Sequence, residues 1–255
     1  MIISMVSLSE ITSYCKERIY LKDIKDFPGA FNGLQIENSG EVSKIGASVD
    51  AGYVPFMKAT ERNVDFLIVH HGIFWTPPTP LTQTHYQKIK HCMDHNLAVF
   101  GAHLPLDCHP EIGNNVLIAD KLGLNKIDTF LPYEGQDIGL ITDCNQTRDQ
   151  LKSRLQKVFS RGIHCMEFGS QNPDKIAILS GSGQSAVDRL SSSGVDTLIT
   201  GELKQNHFNY AQENKLNLFT CGHYATETFG VEALGAELAQ EFNLPFEFIS
   251  TDCPL

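Results

Sequence analysis

The chain has 255 residues, of which 42% are hydrophobic and 20% are charged, and this composition suits one large or two small globular domains with a substantial core. Its formal net charge is −10, so nucleic acid would bind against the overall field and is not supported as a partner. No apolar run approaches the roughly 18 residues of a membrane helix, so a membrane-spanning protein is not expected.

The cysteines and the start of the chain indicate the compartment. Seven cysteines are odd in number and widely spaced, and no CxxC pair occurs, which argues against a disulfide framework or a thiolate zinc site. The first six residues lack the basic region and the long apolar stretch of a signal peptide. We therefore expect a cytoplasmic protein.

Predicted strands and helices alternate along most of the chain. In the first half, the patterns predict a helix over 7–20, a loop over 27–35, a strand over 44–50, a helix over 54–62, a strand over 65–69, a helix over 84–95, a strand over 97–100 and a helix over 114–122. In the second half, they predict strands over 138–141, 175–179, 195–202, 216–220 and 246–249, and helices over 147–159, 184–191, 204–213 and 231–242. Such alternation is typical of α/β folds with parallel sheets.

The two halves of the chain look like copies of each other. Lys44-Ile45 lies 21 residues before Asp65, and Lys175-Ile176 lies 21 residues before Asp196. Both second strands begin with Val-Asp, and each third strand leads to a glycine close to a histidine. The simpler explanation is that any two βαβ units look alike.

If the halves are copies, the fold follows. We predict an α/β protein of two similar three-layer domains, an internal duplication, with a metal site in the cleft between them. The N-terminal domain is expected over 1–125 and the C-terminal domain over 126–255. The last helix and strand are expected to be able to pack across this boundary.

Two adjacent histidines, His70 and His71, follow a very apolar predicted strand and precede Gly72. Ligands of open α/β sheets bind beyond the carboxyl ends of the strands, so this pair is a candidate for metal binding. Neighbouring side chains of a strand point to opposite faces. The two imidazoles therefore reach one pocket only if the backbone turns, which Gly72 would permit. Hydrogen-bonded core histidines are the simpler explanation.

Two further strand ends supply potential ligands. His103 and Asp107 follow the strand predicted over 97–100, and a carboxylate is a hard oxygen ligand. His223 and Glu227 are spaced i, i+4 and would lie close together over the first turn of a helix. Taken singly, a turn carboxylate and a surface pair of a helix are the simpler explanations.

Together, these strand-end residues make a stronger case than any of them alone. The predicted metal ligands are His70, His71, Asp107, His223 and Glu227. One catalytic ion takes about three protein ligands, so five fit two ions about 3.5–4 Å apart. Two divalent ions outweigh the charge of two carboxylates, so we expect an anionic small-molecule substrate. Mixed imidazole and carboxylate ligands suit iron, zinc, manganese or nickel.

Glu202 and His207 follow another predicted strand end and could orient ligands or carry protons. An acidic residue near a helix N-terminus is also favoured by the helix dipole alone. Both explanations stay open for this pair.

Six motifs spread along nearly the whole chain form a recognisable set. They are Asn32-Gly33-Leu34-Gln35, IVHHGIFW at 68–75, HLPLDCHPEIGNN at 103–115, Gly183-Gln184-Ser185, ITGE at 199–202 and GHYATE at 222–227. These motifs resemble those of the NIF-three-like family, and of its bacterial YbgI-like branch in particular. Members of this family are often called GTP cyclohydrolase 1 type 2 homologues.

The resemblance implies an α/β protein of two similar domains, assembled as a toroidal homohexamer with a dinuclear metal centre facing the cavity. It implies the same five metal ligands, with Glu227 as the bridging ligand. It also implies that His103 is a further histidine near the centre.

We therefore predict a metal-dependent hydrolase that acts on a nucleotide or a phosphorylated small molecule. A hydroxide bridging the two ions would attack the substrate, and His103, His207 and Glu202 are the candidate catalytic groups. The alternative is a hexameric metal-binding scaffold or partner-binding protein without hydrolytic turnover. A catalytic centre keeps exchangeable water positions, whereas protein ligands close a structural one.

Overall fold

The computed structural model describes residues 5–75 and 79–255. The start of the chain, on which the expected absence of a signal peptide partly depends, lies mostly outside these residues. Within them, no helix has the length and apolar character that crossing a membrane would require.

The chain is a mixed α/β protein, and its described strands and helices have the following bounds. The strands are β1 (Val6–Ser7), β2 (Gly33–Ile36), β3 (Glu41–Val42), β4 (Ile45–Asp50), β5 (Phe66–His71), β6 (Ala98–Gly101), β7 (Lys126–Tyr133), β8 (Gln136–Asp143), β9 (His164–Glu167), β10 (Lys175–Ser182), β11 (Thr197–Glu202), β12 (Asn217–Thr220) and β13 (Phe246–Phe248). The helices are α1 (Leu8–Arg18), α2 (Tyr53–Glu61), α3 (Gln83–Asp94), α4 (Leu104–Asp107), α5 (Asn114–Leu122), α6 (Arg148–Val158), α7 (Gln184–Val187), α8 (Asn206–Asn214), α9 (His223–Thr226) and α10 (Thr228–Phe242), and Ser191–Ser193 form a 3-10 helix.

Two compact units divide the chain. The first runs to Leu106 and includes Gly230–Asp252, and the second comprises Asp107–Phe229 and Cys253–Leu255. This division differs from the expected ranges of 1–125 and 126–255. The reason is that α5 buries its apolar side chains in the core of the second unit, whereas β13 pairs with β4 in the first.

The first unit contains a five-stranded sheet in the order β13-β4-β5-β6-β2. The first four of these strands are parallel, and β2 joins the edge antiparallel to β6. The sequence predicted a loop where β2 lies. Strands β5 and β6 are almost fully buried, which explains their continuous apolar character. Their parallel pairing brings the histidines at and just after their carboxyl ends to one edge of the sheet.

The second unit contains a six-stranded sheet in the order β7-β8-β10-β11-β12-β9. Strands β10, β11 and β12 are parallel, whereas β8 and β9 pair antiparallel on either side of them. The carboxyl ends of the parallel strands lead to Gly181, Glu202 and His223. These three residues therefore belong to one edge of this sheet.

The sheets share part of their strand order. Each contains three consecutive parallel strands with an antiparallel strand beside the third: β4-β5-β6-β2 in one sheet and β10-β11-β12-β9 in the other. A common order of this kind is what an internal duplication would produce. The duplication itself stays a prediction.

Helix α10 packs on β13 at a glycine, which gives a test of the first unit's packing. A Cβ added to Gly235 would lie 2.2 Å from Cε2 of Phe246. Replacing glycine by alanine inside a helix ordinarily stabilises by about 0.5–1 kcal/mol. Here we expect Gly235→Ala to lower the free energy of unfolding by about 1–3 kcal/mol, because the site is overpacked.

Urea unfolding followed by circular dichroism measures this difference. The control is Glu232→Ala, at an exposed position of the same helix, and it should change the free energy by less than about 0.5 kcal/mol. A stabilised Gly235→Ala protein would show that the ring of Phe246 does not cover this glycine.

Candidate metal centre

Three histidines of the first unit converge at the ends of β5 and β6. His70 and His71 are the last residues of β5, and His103 follows β6 shortly after its last residue. One ligand nitrogen from each of the three lies within 4.8 Å of the other two. The ring centroid of His70 lies 4.9 Å from those of both His71 and His103. Two neighbouring residues of a strand thus do contribute to one cluster.

The glycine after the histidine pair acts differently from our expectation. The φ angle of Gly72 is not positive, so the backbone does not use the conformational freedom of glycine there. A Cβ at Gly72 would instead lie 2.1 Å from Nε2 of Gln35, and one at Gly101 would lie 2.5 Å from the same atom. Gln35 accepts a hydrogen bond from the Ile73 amide at 2.6 Å. The two glycines therefore make room for the side chain that holds this loop.

Each of the three imidazoles is oriented through Nδ1. The Nδ1 atom of His70 lies 3.0 Å from the carbonyl oxygen of Ala102, and that of His71 lies 2.9 Å from Oδ1 of Asp50. Nδ1 of His103 lies 2.8 Å from Oδ1 of Asp26. Because these oxygens accept hydrogen bonds, Nδ1 carries the proton of the neutral ring. Nε2 then has the lone pair that coordinates an ion, as is usual for metal-binding histidines.

Asp26 accepts the hydrogen bond of His103 and several further hydrogen bonds. Its side chain is only 4% exposed, and its oxygens accept hydrogen bonds from the Phe27 and Leu104 amides and from Nδ2 of Asn32. Burial by itself raises the pKa of this carboxyl, but the hydrogen bond and charge of His103, with the other donors, hold the pKa below its usual value. Asn32 also accepts a hydrogen bond from the His103 amide at 2.7 Å.

The second unit orients one histidine between two carboxylates. His223 begins α9, and its Nδ1 lies 3.1 Å from Oε1 of Glu202. Its Nε2 lies 3.1 Å from Oε1 of Glu227, a carboxylate whose side chain is 4% exposed. The hydrogen bond to Glu227 raises the pKa of His223 to about 9, and the charges of both carboxylates add to this effect. Burial acts in the opposite direction and is outweighed. An ion bound at Nε2 would have to displace this proton.

A glycine at the end of β10 lets this pair pack closely. Gly181 has a φ of +61°, and a Cβ there would lie 2.2 Å from Oε1 of Glu227 and 3.1 Å from Nε2 of His223. The Gly181 amide donates a hydrogen bond to Oγ1 of Thr226 at 3.0 Å. The backbone of β10 therefore packs directly against the two candidate ligands. A side chain at position 181 would not leave room for this contact.

Asp107 is also buried and held by neutral donors. Its Oδ1 accepts hydrogen bonds from Nδ2 of Asn114 at 2.9 Å and from Oγ of Ser180 at 2.8 Å. Donors on α5 and at the end of β10 thus fix the carboxylate, as supporting residues of metal ligands do.

The remaining predicted residues differ in their contacts. Glu202 is half exposed and lies against His223, which agrees with an orienting role. His207 is buried, and its Nδ1 lies 3.1 Å from the backbone N and O of Lys204, within its own turn. The role of His207 as a proton carrier stays a prediction.

The sequence alone did not indicate the residues that hydrogen-bond to the histidines and to Asp107. Asp50 could have been found, because it ends the strand beside β5 and its Cα pairs with that of His71. Asp26 could not, since it lies in a segment without a periodic pattern and far from His103 in sequence. Asn114 and Ser180 are small polar residues of a kind that occurs throughout the chain.

The donor set fits divalent metal ions. The buried and partly buried imidazoles of the first unit, with their oriented Nδ1 atoms, suit iron, zinc, manganese or nickel, as do the imidazole and carboxylates of the second unit.

The sequence of the chain was compared with models of known protein families. The family model of Duf34/NIF3 (NGG1p interacting factor 3) matches residues 6–254. The chain belongs to this family. That confirms the resemblance inferred from the motifs.

Relatives within the Duf34/NIF3 family match over most of their length. A Deinococcus radiodurans protein named GTP cyclohydrolase 1 type 2 homolog is 36% identical over 225 residues, which are 87% of this chain and 85% of the relative. A Pyrococcus horikoshii protein of the same name is 35% identical over 243 residues, 94% of this chain and 96% of the relative.

Solved structures of similar proteins show the same fold. A Thermus thermophilus protein is 35% identical, with a TM-score of 0.88 over 98% of this chain and 100% of its own. The protein ybgI, described as of unknown function, is 29% identical, with a TM-score of 0.90 over 98% of this chain and 100% of its own.

The network around His103 leads to a prediction for Asp26→Ala. This substitution removes the acceptor of four donors, three of which are in partly buried hydrogen bonds, so the chelator-treated variant should lose about 1–3 kcal/mol of unfolding free energy at pH 7. Urea unfolding measures the loss. The exposed position Asp23 provides the control, and Asp23→Ala should change the value by less than about 0.5 kcal/mol.

The difference between wild type and Asp26→Ala should depend on pH. The pKa of Asp26 is lowered in the folded protein, so its ionised form stabilises the fold above the unfolded pKa of about 3.9. This contribution is lost as the pH falls through the folded pKa. The two proteins should therefore converge in acid. Equal stability at pH 7 would contradict the assigned hydrogen bonds.

Proposed function

We propose that this chain is a metal-dependent hydrolase that acts on a nucleotide or a phosphorylated small molecule. The proposed ligands of two divalent ions, iron, zinc, manganese or nickel, are His70, His71, Asp107, His223 and Glu227. That both sets of ligands share the two ions rests on the sequence and the family resemblance. The toroidal homohexamer implied by the family resemblance and the cytoplasmic location expected from the sequence belong to the same proposal.

The observation that carries the proposal is the orientation of the imidazoles in the first unit. Nδ1 of His70, His71 and His103 lies in each case within 3.0 Å of an oxygen acceptor, and one nitrogen of each ring lies within 4.8 Å of the others. Core histidines that only satisfy hydrogen bonds have no need to converge in this way. Metal-binding histidines typically show this combination.

Bound divalent ions would supply Lewis acidity and lower the pKa of coordinated water. The chain's own residues supply the rest of the chemistry. His70 and His71 are held rigid by Ala102 and Asp50, so they bind without a large loss of side-chain freedom. His103, held by Asp26, could move a proton at Nε2, and Glu202 orients His223 for binding.

The names of the relatives support a nucleotide as one substrate class. The curated relatives from Deinococcus radiodurans and Pyrococcus horikoshii are named as homologs of a GTP cyclohydrolase. A panel of candidate substrates for this protein therefore contains both nucleotides and phosphoesters.

Glu227→Ala tests the proposal directly. Wild type purified without chelators should contain about two divalent ions per chain by elemental analysis. The variant should keep its circular dichroism spectrum but lose metal. Its hydrolysis of the panel should fall by more than the roughly 10–100-fold that loss of a supporting residue costs. Glu213→Ala, at an exposed position of α8, should retain both the bound metal and the hydrolysis of the panel.

Other outcomes would redirect the proposal. Wild type without bound metal would contradict it, as would a Glu227→Ala protein with full turnover. Wild type with two ions and no hydrolysis of any member of the panel would favour the metal-binding scaffold instead.

A further inference from the structure

Buried polar side chains surround Asp107, one of the proposed ligands of the second unit. Asp107 ends α4, Asn114 begins α5, and Ser180 lies two residues before the end of β10. Asp107 and Ser180 are each 6% exposed, and Asn114 is 0% exposed. Polar groups buried to this degree need hydrogen-bond partners inside the protein. Their contacts are therefore set by the fold and not by solvent.

Two neutral donors meet the same oxygen atom of Asp107. Nδ2 of Asn114 lies 2.9 Å from Oδ1, and Oγ of Ser180 lies 2.8 Å from it. An ionised carboxylate has about four lone-pair sites, about two on each oxygen. The two donors therefore occupy the acceptor positions of Oδ1, and the coordination of an ion falls to Oδ2.

A second asparagine, Asn115, fixes the backbone of Ser180. The register of β8 with β10 runs as far as Leu140 opposite Ile178. Beyond this pair, the side chain of Asn115 joins the two strands. Its Oδ1 accepts a hydrogen bond from the Ser180 amide at 2.8 Å, and its Nδ2 donates one to the carbonyl oxygen of Ile138 at 2.9 Å. The position of the Ser180 hydroxyl thus depends on Asn115.

The end of β10 also packs against the other proposed ligands of this unit. Gly181 follows Ser180, and a Cβ at Gly181 would lie 2.2 Å from Oε1 of Glu227 and 3.1 Å from Nε2 of His223. Two consecutive residues of one strand therefore contact three proposed ligands. Ser180 offers its hydroxyl to Asp107, and Gly181 offers its backbone to the other two.

We propose that Ser180 and Asn114 are positioning residues of the metal centre, which make Asp107 a ligand through Oδ2 alone, and that Asn115 acts on the same carboxylate through Ser180. This inference rests on the proposed function, since it takes Asp107 as a metal ligand. Hydrogen-bond partners of this kind fix the orientation of a ligand. Coordination through one oxygen also keeps the number of protein ligands low, and a catalytic ion needs an open position.

Zinc binding to the full chain, measured by competition with a chromophoric chelator, tests the proposal. Ser180→Ala and Asn114→Ala should each lower the zinc affinity by about 10–100-fold, the usual cost of losing a partner that orients a ligand. Asn115→Ala should lower the affinity as well, because the Ser180 amide loses its acceptor. Urea unfolding of the chelator-treated proteins verifies that each variant is folded.

Thr142→Val is the matched control. Thr142 is fully buried in the same sheet, and its Oγ1 donates a hydrogen bond to the carbonyl oxygen of Ile176 at 3.3 Å. The substitution therefore also removes a buried hydroxyl, but near the start of β10. It should bind zinc like wild type. Equal zinc affinities of Ser180→Ala and Thr142→Val would overturn the proposal, because the Ser180 hydroxyl would then have only a structural role.

The absorption bands of bound cobalt(II) report on the coordination itself. These bands depend on the number and arrangement of the ligand atoms. In the double variant Ser180→Ala/Asn114→Ala, Oδ1 of Asp107 loses both donors and can approach the ion. The bands per bound cobalt should therefore differ from those of wild type, while those of Thr142→Val should not. Unchanged bands in the double variant would contradict coordination through Oδ2 alone.

The outcomes also separate this proposal from the hydrolase proposal. If zinc affinity depends on Ser180 and Asn114 but no substrate is hydrolysed, the hydrolase proposal fails and the positioning role stands. If the protein binds zinc and hydrolyses a substrate, and both alanine variants behave like wild type, the positioning role fails and the metal centre stands. A wild-type protein that binds no zinc would overturn both.

Discussion

Four histidines, three in the first unit and one in the second, place Nδ1 against an oxygen atom, and the other features of the candidate ligands depend on this interaction. The acceptor is a backbone carbonyl for His70 and a carboxylate for His71, His103 and His223. A neutral ring that donates from Nδ1 has one orientation and one tautomer, which leaves Nε2 as the atom that an ion could bind. The strand order supplies two of these acceptors, since Asp50 ends the strand paired with β5 and Glu202 ends β11.

Buried charge is the second constraint on this chemistry. Asp26 and Glu227 keep carboxyl groups whose side chains are 4% exposed, and a buried carboxylate is stable only when it is paired or hydrogen-bonded. Asp26 meets this requirement with protein donors. Glu227 meets it through His223, whose pKa rises to about 9 as a result. A divalent ion bound there would replace that proton, so metal binding would be coupled to proton release.

Much of the fold and of the candidate site could be predicted from the sequence. Apolar runs ending in His70-His71 and leading to His223 identified buried strands and their ends, because burial on both faces leaves a continuous pattern. Strand β2 escaped prediction, since its pairing with β6 is set by tertiary contacts and not by its four residues. Asp26 escaped for a related reason: it lies in a segment without periodicity, and its partner His103 is distant in sequence. Gly72 was identified for the wrong reason, as its role is to leave space for Gln35.

The central claim is that the oriented histidines hold metal ions through Nε2. Anomalous diffraction from crystals grown with manganese or zinc, recorded on both sides of the absorption edge of the metal, tests it most directly. The account predicts two anomalous peaks per chain, with Nε2 of His70, His71 and His223 among the coordinating atoms. Peaks confined to exposed carboxylates, coordination through Nδ1, or the absence of any peak at these histidines would contradict it.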